Sequence, residues 1–121
     1  MLQKLDGLPS YVAAFRATGE VSKDDYERIL VPEIERVDKA HGHIHFLMVL
    51  ETSAGNFSLG AWLQDAVTGL KHFRGWKKVA IVSDEKAIEK TTDVFNALVP
   101  GNAKGFPLAQ LSEAEAWVAA E

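Results

Sequence analysis

Ile44-His-Phe-Leu-Met-Val-Leu50 is the stretch whose reading decides the fold. A strand with one wet face alternates apolar and polar residues, because successive side chains point to opposite sides of the sheet. Here the set Ile44, Phe46, Met48, Leu50 and the opposing pair Leu47, Val49 are both apolar. That pattern predicts a strand covered on both faces, as in the middle of a parallel sheet. His41-Gly-His43 precedes the stretch and Glu51 follows it, so the apolar run has the length of a strand rather than of a buried helix.

Upstream, Met1 to Asp6 and Tyr11 to Thr18 are apolar-rich runs separated by Gly7-Leu8-Pro9-Ser10, which predicts an opening hairpin. Ser22 is placed to cap a helix running to about Ala40, with Asp24 and Asp25 in a first turn where the helix dipole favours carboxylates. Tyr26, Ile29, Leu30, Ile34 and Val37 recur at helical spacing. Pro32 lacks a backbone donor and disfavours helix at Val31, so a kink or restart is expected there. Downstream, Glu51 to Phe57 reads as a loop and Leu59, Trp62, Leu63, Ala66, Leu70 and Phe73 as a second amphipathic helix, stopped at Gly75. Lys77 to Val82 is the next strand. Ser83-Asp84 caps a third helix carrying Ile88, Thr92, Phe95 and Val99, and Pro100-Gly101 ends it. Ala103 to Leu108 is a weaker strand, and Ser112-Glu-Ala-Glu115 reads as a capping box opening a last helix with Trp117 inward. The alternation predicts an α/β domain over residues 1–121: a mainly parallel sheet with an N-terminal antiparallel hairpin strand and about four helices.

Composition narrows the function. The chain has 121 residues, 47% hydrophobic and 25% charged, the size and balance of one domain. Thirteen Lys and Arg against seventeen Asp and Glu give a net charge of -4, which argues against nucleic-acid binding by phosphate neutralisation. No cysteine is present, so thiol catalysis, thiolate metal sites and disulfides are excluded. No apolar run approaches the roughly 20 residues of a membrane span, and the start carries no signal-peptide pattern, so a cytoplasmic location is expected. Neither a nucleophile elbow nor a Gly-x-Gly-x-x-Gly or Walker pattern occurs, and paired carboxylates such as Asp24-Asp25 and Glu113/Glu115 fall at helix starts where electrostatics explains them. The expectation is a noncatalytic protein without a cofactor. His41, His43 and His45 alternate, a spacing a metal could use in an extended chain, but His41 falls at a helix end, out of strand register; no metal site is assigned.

The hairpin, the Asp24-Asp25-Tyr26 helix start with Pro32 beyond it, Gly42-His-Ile44, Ala80-Ile-Val-Ser-Asp84 and the closing Glu115-Ala-Trp117 together resemble the SpoIIAA-like family across essentially the whole chain. The resemblance implies the fold of STAS domains, which include anti-sigma-factor antagonists, and a relation to CRAL-TRIO lipid carriers. In the antagonists a phosphorylatable serine lies in an Asp-Ser-Ser-Gly type motif after the central strand. Asn56-Phe-Ser-Leu-Gly60 corresponds, with Ser58 as the positional match, but the preceding acid and the paired serine are missing. Ser58 therefore reads first as a helix N-cap and second as a phosphorylation site.

Two functions follow as expectations. The first is a binding module for a small apolar or lipid-like ligand held at the strand ends, where open α/β sheets place ligands. Glu51, Asn56, Phe57, Ser58, Trp62, Ser83, Asp84 and Phe106 are the candidate ligand residues. Lys71, Phe73, Arg74, Trp76, Lys77 and Lys78 mix cations with aromatics, a combination suited to peripheral contact with an anionic inner membrane face. The second is a regulatory domain that binds a protein partner, as the antagonists do. If the strands are ordered sequentially, right-handed crossovers place the helices on one face, and the other face needs a cover; a two-fold homodimer is the expected one.

Overall fold

The computed structural model describes residues 2–18, 23–51, 75–84, 96 and 102–120. Five strands form one sheet in the order β1 (Leu2–Lys4), β2 (Val12–Ala17), β3 (Ile44–Leu50), β4 (Trp76–Ser83), β5 (Ala103–Pro107). β1 runs antiparallel to β2, and every later neighbour is parallel. The turn between β1 and β2 passes through Gly7 at φ 88, a left-handed conformation that glycine adopts without steric cost. All seven residues of β3 are buried, as its double apolar pattern requires.

The first helical region starts at α1 (Lys23–Asp25), widens into a π-helical segment at Tyr26–Leu30, and continues as α2 (Val31–His41). Pro32 explains the change. It cannot donate to a helical hydrogen bond and its ring crowds the carbonyl four residues back, so the preceding turn is wider and the regular helix restarts at its own first turn. Gly42, at φ 73, ends α2 by donating its N–H to Asp38 O at 2.8 Å. Leu30, Ile34 and Val37 face the sheet and join Phe15, Phe46, Met48 and Ile81 in a core of large side chains. Phe15 and Phe46 lie with ring centroids 5.7 Å apart.

The closing helix, α3 (Leu111–Ala119), packs on the other side of the sheet. Its Ala114 and Val118 are fully buried against Val12, Ala14, Leu47, Val49, Ala80, Val82 and Phe106. The strand order is thus the sequential one, yet the second face is already covered from within the chain. The open apolar face that motivated a homodimer is absent from the described residues, and with it the reason to expect one. The start of α3 also differs from the expected capping box. A 3-10 turn at Leu108–Gln110 leads directly into Leu111, so Ser112 lies inside the first turn and Gln110 occupies the cap position without a side-chain bond. Trp117 is half-buried rather than fully inward. The described residues hold two helical regions; the expected second helix and nearly all of the third lie outside them, so a count of about four is not supported.

Gly75 fixes how β4 enters the sheet. A Cβ there would lie 2.6 Å from Gly42 O and 2.9 Å from His43 Cα, and the Gly75 carbonyl accepts the Ile44 N–H at 2.6 Å. The entry to β4 and the turn into β3 therefore cross at backbone contact, which only glycine permits.

Candidate functional site

Polar side chains gather at both ends of the sheet, and the two ends differ in character. At the carboxyl end, Arg16 from the end of β2 faces Glu51 just beyond β3, with Nε 3.5 Å from Oε2 and both side chains partly in water. Glu51 N–H continues the ladder by donating to Ala17 O at 2.9 Å. One strand over, the buried Ser83 hydroxyl donates to Leu50 O, a strand-end carbonyl, at 3.3 Å. Asp84 follows, exposed.

The expected ligand residues divide accordingly. Glu51, Ser83 and Asp84 share this end of the sheet. Phe106, opposite Val82 and one residue short of the position opposite Ser83, lies near the same end but packs into the core beneath α3 with its ring 5.9 Å from Trp117. Asn56, Phe57, Ser58 and Trp62 lie outside the described residues, so the expected loop aromatic and phosphorylation position are not placed.

The amino end carries most of the ring chemistry. His41 is the last residue of α2, His43 precedes β3 and His45 lies within it, so the first is out of strand register as its helix-end position requires. Tyr11 stands among them, with centroids 6.3, 6.4 and 5.0 Å from His41, His43 and His45. His41 Nε2 is 3.2 Å from Ser10 Oγ. Among the described residues no group of three or more His, Asp or Glu side chains is arranged to hold a metal ion.

His45 is 2% exposed and places Nδ1 2.6 Å from Val118 O. A carbonyl oxygen can only accept, so Nδ1 carries the proton. Lys78, the register partner of His45, donates from Nζ to Trp117 O at 3.0 Å and to Ala120 O at 2.8 Å. Tyr11 donates its hydroxyl to Ala119 O. Lys78 also lies 5.0 Å from the Trp117 ring, and Lys104 lies 5.9 Å from it on β5. Two of the six residues expected at a membrane surface are thus engaged inside the molecule: Lys78 as described, and Trp76 by packing edge-on to Phe46 at 6.0 Å. Lys77 is exposed; Lys71, Phe73 and Arg74 lie outside the described residues. No helix among the described residues is long and apolar enough to cross a membrane.

A comparison with protein families places the SpoIIAA-like family over residues 12–119, from the first residue of β2 to the last of α3. The chain belongs to the SpoIIAA-like family. Neither the curated proteins nor the solved structures give a match. The family match covers both described ends of the SpoIIAA-like sheet and the intervening residues 52–74, where Ser58 falls.

The roles of Tyr11 and Lys78 at the end of α3, and of Arg16 opposite Glu51, are additions to the sequence reading. One signal for the first was available: His45 is the single polar residue in an otherwise apolar strand, on the side shared by Leu47 and Val49. A buried imidazole in that position requires a hydrogen-bond partner from whatever covers the face.

Proposed function

We propose that this SpoIIAA-like domain is a noncatalytic regulatory module that acts by binding a protein partner. The observation that carries the reading is the family match over residues 12–119, since the fold implied by that family is shared with the anti-sigma-factor antagonists. The packing supports it. Phe15, Phe46, Met48 and Ile81 fill one side of the sheet and are fully buried, and the other side is filled beneath α3, so the described interior is occupied by the chain's own side chains. The described carboxyl end is lined by Arg16, Glu51 and Asp84, charged groups better suited to a polar protein surface than to an acyl chain. The lipid-carrier alternative gains nothing from Phe106 or Trp76, both of which pack internally.

Two measurements on one preparation separate the readings. Native mass spectrometry of freshly purified protein should give the mass of the bare chain, and affinity purification from cells should recover a protein in near-stoichiometric amount. An apolar small molecule carried through purification, with no protein recovered, would overturn the proposal in favour of ligand binding. Phosphoprotein staining after incubation with extract and ATP, on wild type and Ser58→Ala, then decides whether the module is switched by phosphate.

A further inference from the structure

A helix leaves its last four carbonyls without intrahelical partners. In α3 these belong to Trp117, Val118, Ala119 and Ala120, and each one accepts a hydrogen bond from a side chain of the sheet's amino end: Lys78, His45, Tyr11 and Lys78 again. Among the described residues the opposite end of α3 shows no such tie: Gln110 caps it without a side-chain bond and a three-residue 3-10 turn leads into it. The helix is nine residues long and buries only Ala114 and Val118 completely. Helices of that length are not stable alone in water, so α3 is ordered by its seat.

We infer that α3 is a releasable cover over a preformed helix seat, and that the partner engages the domain by placing an amphipathic helix of its own where α3 lies. The inference rests on the proposed protein-interaction role and names the surface and the partner's form. The seat combines an apolar strip, Leu47, Val49, Ala80 and Val82, with a cluster of donors at one end. An ammonium, an imidazole N–H and a phenol complement the partial negative charge at a helix C-terminus, so the seat selects a helix and fixes its direction. The sheet does not depend on α3 for its other face, where α2 and the larger side chains form a separate core. Release of the cover therefore leaves a folded sheet with an apolar face, a surface that a second helix satisfies.

The test uses the full chain and a labelled synthetic peptide of residues 108–120 as the surrogate helix. Ala114→Asp displaces α3 from its own side and leaves the seat intact. The peptide should bind this variant saturably by fluorescence anisotropy and bind wild type at least roughly ten-fold more weakly. Adding Tyr11→Phe and Lys78→Met to Ala114→Asp should weaken the peptide again by roughly ten-fold or more, the scale of a lost hydrogen bond or two. Absence of saturable binding to an Ala114→Asp chain whose β3 amides stay protected overturns the inference, as does equal binding to wild type. Should Ala114→Asp not fold, amide exchange on Tyr11→Phe/Lys78→Met decides. Loss of protection in residues 114–120 with β3 unchanged supports a separable cover, and parallel loss in both refutes it. Peptide binding is read without any natural partner, so it stands or falls separately from the recovery of a partner from cells.

Discussion

Glu33→Gln is a sharp test of how the opening hairpin is fixed to the domain. Glu33 sits in the first turn of α2 with its side chain 5% exposed, and it holds two cations: Lys4 of β1 at 2.7 Å and Arg36 one turn along. Burial alone would raise the Glu33 pKa, but hydrogen bonds and charge from Lys4 and Arg36 outweigh it and hold the carboxyl below its ordinary value. Hydrogen bonds to charged groups contribute about 1.5–3 kcal/mol when fully desolvated. Lys4 and Arg36 are about half in water, at 52% and 46% exposure, so each pair is nearer the surface value of up to about 1 kcal/mol. Glutamine keeps the volume and one acceptor oxygen, so the expected loss at pH 7 is about 1–2 kcal/mol, a fall of roughly 3–10 °C in Tm for a domain of this size. The sign with pH follows from linkage. A carboxyl whose folded pKa is depressed stabilises above its unfolded pKa, and that stability is lost as pH falls through the folded value. Wild type and variant should therefore differ at pH 7 and converge in acid. Urea unfolding at pH 7, 5, 4 and 3, with Glu35→Gln on the exposed side of the same helix as control, makes the comparison. A Glu33→Gln chain as stable as wild type at pH 7, or a difference that does not shrink in acid, refutes the reasoning.

Met48→Ala should lower stability by about 2–5 kcal/mol in chemical denaturation, since Met48 is fully buried at the centre of β3 between Phe15 and Ile81; Met48→Asp should leave the chain unfolded, because it buries an unpaired charge. Gly75→Ala should cost more than the roughly 1 kcal/mol typical of a point substitution, because its Cβ would meet backbone at 2.6 Å; thermal unfolding within 2 °C of wild type would show that the crossing of β4 over Gly42 yields easily.

The central strand was legible because both of its faces are apolar, a condition that local sequence displays directly. The interruption at Pro32 was legible for the same reason, since a missing N–H acts on its own helix. The end of α3 was not. Its ties come from positions 11, 45 and 78, which meet only once β2, β3 and β4 are in register, with His45 opposite Lys78. Ser112 to Glu115 satisfies the spacing of a capping box, yet the 3-10 turn at Leu108–Gln110 starts the helix earlier and leaves that pattern inside it. The side of the sheet on which α3 packs was equally hidden, because an alanine-rich helix of nine residues carries a weak amphipathic signal. Of the candidate site residues, Glu51, Ser83 and Asp84 lie at the ends of β3 and β4, a position the strand bounds alone predict, whereas the side of the sheet on which Phe106 packs, beneath α3, depended on where α3 lies.

The two faces of the sheet are held by different physics, and this bears on which one can act. On the α2 side, Phe15, Phe46, Met48, Ile34 and Leu30 interlock, and Glu33 joins that helix to β1 through Lys4, so releasing α2 would break large apolar contacts and the ion pair to the hairpin together. On the α3 side only Ala114 and Val118 of the helix are fully buried, with Leu111, Trp117 and Ala119 partly buried against the same core, and four hydrogen bonds from side chains cluster at the helix's C-terminal end. Hydrogen bonds exchange readily with water at a modest net cost each, whereas buried apolar surface of the α2 kind does not. Among the described elements, the inferred release of α3 would therefore break fewer large apolar contacts than release of α2, and that difference is what a partner helix at this seat would have to overcome.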